Sequence, residues 1–154
     1  MSKPLDDVDR KIIRLLRANA RASQEQIAKS VHLSRPAVHE RIKHLEKTGV
    51  VRGYQALVNW DGVGLAMTCF IWVRLRPTHG SNIGTQMANL TSDMATVEEC
   101  HRVTGEWSML LKVRAASPQA LQTLIDRLYK IPGVQNTLTT VVLSTLLEDG
   151  VAAD

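Results

Sequence analysis

Cys69 and Cys100 are the only thiols in this chain. Both lie in apolar, strand-like runs, with no histidine at metal-ligand spacing, so a disulfide framework and a zinc site are both excluded. The adjacent Cys100 and His101 point to opposite faces of a strand and cannot share a metal. No apolar run approaches the ~20 residues of a membrane span. The opening MSKPLDDVDRK has none of the apolar core of a secretory signal, so the expectation is a cytoplasmic protein with no membrane partner. There is also no phosphate-cradling glycine loop and no nucleophile spaced to a base. Glu98, Glu99, His101 and Glu106 are the acid–base groups on offer, and nothing accompanies them. The expectation is therefore a non-enzyme, with no catalytic residue, cofactor or metal.

What is present suits a globular chain: 154 residues, 44% hydrophobic and 22% charged. That length allows one ordinary domain or two small ones. The charge is unevenly placed. Residues 1–52 hold 12 Lys/Arg and 6 Asp/Glu, a net of +6; residues 53–154 hold 7 and 9, a net of −2. A basic first third on a slightly acidic remainder points to one part that meets a polyanion and another that does something else.

The basic third reads as three helices. Residues 6–19 repeat Val8, Ile12, Leu15 and Leu16 at helical spacing, with Asp6 or Asp7 as cap. Ser23-Gln24-Glu25-Gln26 matches a capping box and opens a second helix that buries Ile27, Ala28 and Val31. After a tight His32-Leu33 connection, Ser34 caps a third helix, Pro36 sits in its first turn and Gly49 ends it. Val38, Ile42 and Leu45 form its apolar stripe. Pro36, His39, Glu40, Lys43 and Lys47 lie opposite, flanked by Arg35 and Arg41. Two short helices, the second showing a basic face, make a helix-turn-helix suited to a major groove. Arg35 and Lys43 reach either base edges or phosphates, His39 is the base reader of choice, and Glu40 either accepts from cytosine or, as favoured, pairs with Lys43 or His44 along the helix. Residues 50–60 favour extended structure, and Arg52 could meet a phosphate from there.

The remainder alternates. Strands are expected at 66–76, 96–103, 107–115 and 136–147, with helices at 80–92 and from Ser117-Pro118 to Pro132-Gly133. The order β-α-β-β-α-β is that of a split ferredoxin-like sandwich. Cys69, Ile71, Val73 and Leu75 face one side of the first strand, Phe70 and Trp72 the other. The last strand offers Val141, Leu143 and Leu147 against Leu138, Val142 and Leu146. Both helices cover one face, so an apolar second face implies burial by another subunit. Residues 1–53 are expected to form the DNA-binding domain, 54–65 a linker strand and hinge, and 66–154 the α/β domain. On the residues alone, Gly105 serves either a tight β-turn with Trp107 as packing, or a ligand loop.

The chain resembles the Lrp/AsnC family of feast-famine transcriptional regulators. The resemblance rests on LDDVDRKIIRLL, IAKSVHLSRPAVHERIKHLEKTGVVRGY, VEECHRVTGEWSMLLKV and PGVQNTLTTVVL, in that order. It implies an α+β protein: an N-terminal (winged) helix-turn-helix joined to a ferredoxin-like βαββαβ domain of the RAM type. It further implies double-stranded DNA as partner, dimers through the C-terminal domain, assembly to tetramers or octamers, and an amino-acid effector bound at a junction between dimers. The DNA-contacting positions carried over are Ser34, Arg35, Pro36, His39 and Lys43, with Arg41 clamping a phosphate or bracing the helix. The effector loop becomes Thr104, Gly105, Glu106, Trp107 and Ser108. Many members carry an aromatic residue followed by Asp there; Trp107-Ser108 lacks that carboxylate and departs from the leucine-type pattern. The alternative function is an effector-independent architectural protein that organises DNA by oligomerising.

Overall fold

The computed structural model describes residues 4–76 and 82–148, and the backbone of 151–152. The chain divides into two compact units, Met1–Leu57 and Val58–Asp154.

The first unit is three capped helices: α1 (Asp7–Ala18), α2 (Gln24–Val31) and α3 (Arg35–Lys47). Each begins where a side-chain oxygen can take an orphaned backbone N–H. The Asp9 N–H donates to Asp6 Oδ1 at 2.8 Å, and the Asp6 N–H returns to Asp9 Oδ2 at 3.2 Å. Ser23 and Gln26 make the same reciprocal box at α2. Ser34 Oγ accepts from the Ala37 N–H at 3.4 Å. His32 turns the chain between α2 and α3 with a left-handed φ of 55°, and Gly49 leaves α3 at φ 73°. Ile12, Leu16, Ile27, Ala28, Val31, Val38, Ile42 and Leu45 form the core, with Leu33 and Val51 packed on it.

A polar tie joins α3 to α1 beside this core. Arg41 of α3 donates to Asp6 at 2.8 Å and to Asp9 at 2.6 Å, so it binds both carboxylates of the α1 capping box. Asp9 is only 8% exposed. The Asp9 backbone N–H, and then Arg41, hold the Asp6 carboxyl below the usual carboxylate range.

The expected strand after α3 is not formed. Among the described residues, 50–59 pair with no strand, and Val50, Tyr54, Leu57 and Val58 are exposed. The β-branched pattern is there, but a strand needs a neighbour for its N–H and C=O groups. The helix-turn-helix therefore has no paired wing among the described residues.

The second unit opens with a turn at 60–64 and continues as β1 (Met67–Leu75), α4 (Ile83–Ala88), β2 (Ala95–Arg102), β3 (Met109–Ala115), α5 (Pro118–Tyr129) and β4 (Val134–Val141). The four strands are antiparallel in the order β2-β3-β1-β4, that of the ferredoxin-like sandwich. Cys69, Ile71, Val73, Leu111 and Val113 meet Ile83 and Met87 of α4, and Leu121, Leu124 and Leu128 of α5. α4 is shorter than the expected 80–92. Gly80 and Ser81 lie outside the described residues, and Arg127 takes the carbonyls of Asn89 and Leu90 just past the helix end. The expected 136–147 strand also divides. β4 stops at Val141, although the Val142 N–H still donates to the Thr68 carbonyl at 2.9 Å, and Leu147–Glu148 (β5) then pairs with Val151–Ala152 (β6).

The helix-free face of the sheet is not the uniformly apolar surface expected. Phe70 and Trp72 lie on it half-buried, but a charged cluster sits beside them. A bulge between Val97 and Glu99 turns neighbouring acids toward β3. Arg114, 4% exposed, donates to Glu98 at 2.7 Å, to Thr68 and to Glu148, and lies 5.4 Å from the centre of the Trp60 ring. Lys112 reaches Glu148, Glu98 at 3.4 Å and Glu99 at 3.9 Å. Burial alone would push Lys112 down; its hydrogen bond to Glu148 and the nearby carboxylates more than offset this and hold it up. The Lys112 hydrogen bond is in turn what most depresses Glu148.

Two outcomes follow from these ties. Arg41→Met leaves Asp9 buried without its cation and should lower the stability of the first unit by about 1–2 kcal/mol. Urea titration by far-ultraviolet circular dichroism reads this, because Trp60, Trp72 and Trp107 all report on the second unit instead; an unshifted first-unit transition would mean the tie contributes nothing. Glu148 is depressed on folding, so its contribution is complete above its ordinary value of 4.5 and is lost as pH falls through its lower folded value. Tryptophan-detected stability should fall across that window, and Glu148→Gln should flatten the fall; an equally steep acid limb in the variant would contradict the assignment.

Candidate functional site

α3 buries Val38, Ile42 and Leu45 and leaves the other side open. Arg35, His39 and Lys43 stand four residues apart and are all exposed, so they form one stripe down that side. Pro36 and Glu40 border it. No ion pair among the described residues engages Arg35, Lys43 or Arg52, the last exposed on the unpaired segment beyond Gly49. Ser34 is the N-cap, its hydroxyl occupied by the Ala37 N–H. Arg41 is turned the other way. Of its two expected roles the geometry shows the brace, since Asp6 and Asp9 hold its guanidinium.

One contact on this face was not expected. Gln24, the first residue of α2, places its amide Nε2 3.0 Å from His39 Nδ1. A shallow cleft lined by Ser23, Gln24, Glu25, Arg35 and His39 surrounds the pair. Sequence spacing cannot find such a partner, because the two residues meet only through the turn between helices.

The loop between β2 and β3 holds the five expected ligand residues. Gly105 has φ +104°, which favours glycine, and Thr104, Gly105 and Glu106 are exposed. Trp107 and Ser108 are half-buried and tied to β1. The Ser108 N–H donates to the Val73 carbonyl at 2.9 Å, while its Oγ accepts from the Leu75 N–H at 3.0 Å. Arg74 of β1 pairs with Glu106 and lies 5.1 Å from the centre of the Trp107 ring. Its Nε is buried with no hydrogen-bond partner in the structure. Arg74 is thus a member of this site that the sequence alone did not single out.

The acid–base groups do not converge on a reaction centre. Glu98 is consumed by Arg114 and Lys112, and Glu99 pairs with His101 at 2.8 Å on an open surface. Cys69 is fully buried and Cys100 partly so; burial pushes both thiols up. Among the described residues, no group of three His, Cys, Asp or Glu could hold a metal ion.

Comparison with known proteins bears directly on both sites. Residues 5–46 match the AsnC-type helix-turn-helix domain, and residues 68–152 match the Lrp/AsnC ligand binding domain. The transcriptional regulator FL11 of Pyrococcus horikoshii is 31% identical over 145 residues, covering 94% of this chain and 93% of that one. The transcriptional regulator LrpA of Mycobacterium tuberculosis is 35% identical over 150 residues, with 97% of each covered. A feast or famine regulatory protein from M. tuberculosis, solved as a complex with L-methionine, superposes with a TM-score of 0.85 at 35% identity, over 95% of this chain and 97% of that one. These relatives are regulators and not enzymes. With both domains matched in order and nearly the whole length aligned, this chain belongs to the Lrp/AsnC family of helix-turn-helix transcriptional regulators.

Proposed function

We propose that α3 enters the major groove of double-stranded DNA and that the Arg35–His39–Lys43 stripe makes the contacts. The observation that carries this is a row of exposed side chains, its two cations free of acidic partners among the described residues, on a capped helix whose other side is core. Ser34 and Pro36 set the entry of the helix, Arg41 fixes its angle, and Arg52 adds a phosphate contact. Half to two-thirds of such hydrogen bonds go to the backbone, so Arg35 and Lys43 serve mainly affinity and His39 serves choice of base. Residues 1–53 are the reading domain, 54–65 the linker and 66–154 the sensing and assembly domain.

The second unit dimerises and binds an amino acid in this reading. Leu138, Leu143, Leu146 and Leu147 are at least half exposed, a patch that favours a second copy, with tetramers or octamers built from dimers. A two-fold dimer calls for a roughly palindromic site with half-sites about one helical turn apart. The methionine complex of the mycobacterial relative supports an amino-acid effector held by Thr104–Ser108. In this reading Arg74, whose Nε lacks a partner, meets the carboxylate and Glu106 the ammonium. The protein acts in the cytoplasm; no described helix is long and apolar enough to cross a membrane. The ties already made by Glu106, Trp107 and Ser108 favour a second reading, an effector-independent architectural protein.

Lys43→Ala should reduce the slope of log affinity against log salt by about one unit, with base preference intact. An unchanged slope with relaxed preference would make it a base reader. Methionine should raise the melting temperature of the whole protein by mass action, about 2.7 kcal/mol of stabilisation at a hundredfold excess over Kd. Trp107→Ala should remove that shift. If neither methionine nor any other amino acid moves the melting curve, the architectural reading prevails.

A further inference from the structure

The hydrogen bond between Gln24 and His39 joins the two helices of the helix-turn-helix at the edge of the proposed groove face. Gln24 Nε2 is an amide nitrogen, which can only donate. The ring nitrogen it meets at 3.0 Å, His39 Nδ1, therefore supplies a lone pair. In a neutral imidazole the proton then sits on the opposite nitrogen, Nε2. Gln24 is half-buried while His39 is exposed, so the amide is the fixed partner and the ring the one it orients. The other charged groups lining this cleft are Glu25 and Arg35; Glu25 is drawn toward Lys29 at 3.3 Å.

We infer that Gln24 is a positioning residue for base recognition: by donating to His39 Nδ1 it holds the Nε2–H tautomer and presents a hydrogen-bond donor to a purine acceptor edge. The inference rests on the proposed reading of α3 as the groove helix. The tautomer decides the sign of the base preference. Guanine shows N7 and O6 in the major groove, both acceptors, whereas cytosine shows the N4 amino donor. An Nε2–H facing guanine gains a hydrogen bond; facing cytosine it sets donor against donor. The other tautomer would carry a lone pair on Nε2 and accept from cytosine instead. A Gln24 that merely pinned two helices together would change stability and leave the ring proton where it was.

The test uses the full chain and does not depend on a defined operator sequence. Nitrogen-15 imidazole spectra at mildly alkaline pH report the tautomer directly; His39 should show a bare Nδ1 and a protonated Nε2. Gln24→Leu removes the donor at similar size and should mix the tautomers. Gln24→Lys keeps a donor and should restore the wild-type pattern. Each protein is then offered a duplex library with a randomised core, and the position whose preference vanishes in His39→Ala is read. Wild type and Gln24→Lys should prefer guanine to cytosine there by roughly three- to tenfold, the worth of one net hydrogen bond. Gln24→Leu should lose most of that ratio. A protonated Nδ1 in the wild type, tautomers unmoved by Gln24→Leu, or a guanine preference that survives in Gln24→Leu would each overturn the inference. Failure of the wild type to enrich any duplex would defeat the groove reading and this inference with it, and the spectra, which need no DNA, separate that failure from an error about Gln24.

Discussion

The guanidinium of Arg41 does for the first unit what the apolar core cannot do: it gives α3 an orientation. Val38, Ile42 and Leu45 are buried apolar contacts whose burial energy has no direction of its own. Arg41 instead reaches two fixed oxygens, one on Asp6 and one on Asp9, and those oxygens belong to a capping box that is itself locked to the start of α1. The carboxylates thus serve twice. They satisfy orphaned N–H groups at the positive end of α1, and they anchor the helix that carries the exposed stripe. Under the proposed DNA-binding reading, the tie also settles a charge problem. Unpaired carboxylates close to a surface meant for phosphate would repel it, and a cation between them cancels much of that field.

The same division of labour runs through the whole chain. Positive side chains fall into those consumed internally and those left free. Arg41, Arg74, Lys112 and Arg114 are consumed; Arg35, Lys43 and Arg52 have no acidic partner among the described residues. Net charge alone does not make this distinction, and it is the free set that is open to a polyanion. In the second unit Lys112 and Arg114 form a closed cluster with Glu98 and Glu148 on the helix-free face. Buried ion pairs of this kind add little net stability, because desolvation offsets most of the attraction. Their value lies in being already satisfied: a second copy covering Leu138 and its neighbours would not have to strip water from bare charges to do so.

Much of this was legible in the residues, and what was missed has a common cause. Caps are local, so Ser23, Ser34, Asp6 and Gly49 announce themselves within three or four positions. Core stripes are periodic, and the alternation of strands and helices in the second unit carried its topology. Strand ends are different. Val142–Leu146 read as a continuation of β4, yet the ladder stops at Val141 while Met67 and Thr68 of β1 lie beyond it. Residues 50–59 have the composition of a strand and lack a neighbour to pair with. The partners that define the sites, Gln24 for His39, Asp6 and Asp9 for Arg41, and Arg74 for Trp107, are 15, 35, 32 and 33 positions away in sequence, beyond any short-range pattern. The two roles left open for Arg41 could be separated only by seeing what lay across from it.

If the loop around Trp107 receives the effector, its internal contacts bear on sensing. Where the family resemblance implies a carboxylate, this chain has Ser108, and the Ser108 hydroxyl accepts from the backbone N–H of Leu75 in β1. Glu106 and Trp107 are likewise engaged by Arg74. A ligand arriving here competes with contacts the protein already makes, so its gain is the difference between the new set and the old. Its apparent affinity falls by the fraction of molecules in which the loop is free to receive it. That same competition makes a switch possible: a ligand that drew Arg74 away from Glu106 would alter the edge of β1, and it could shift assembly only by as much as it preferred the rearranged loop. Tight internal ties at a sensing loop therefore trade affinity for a larger structural response per binding event.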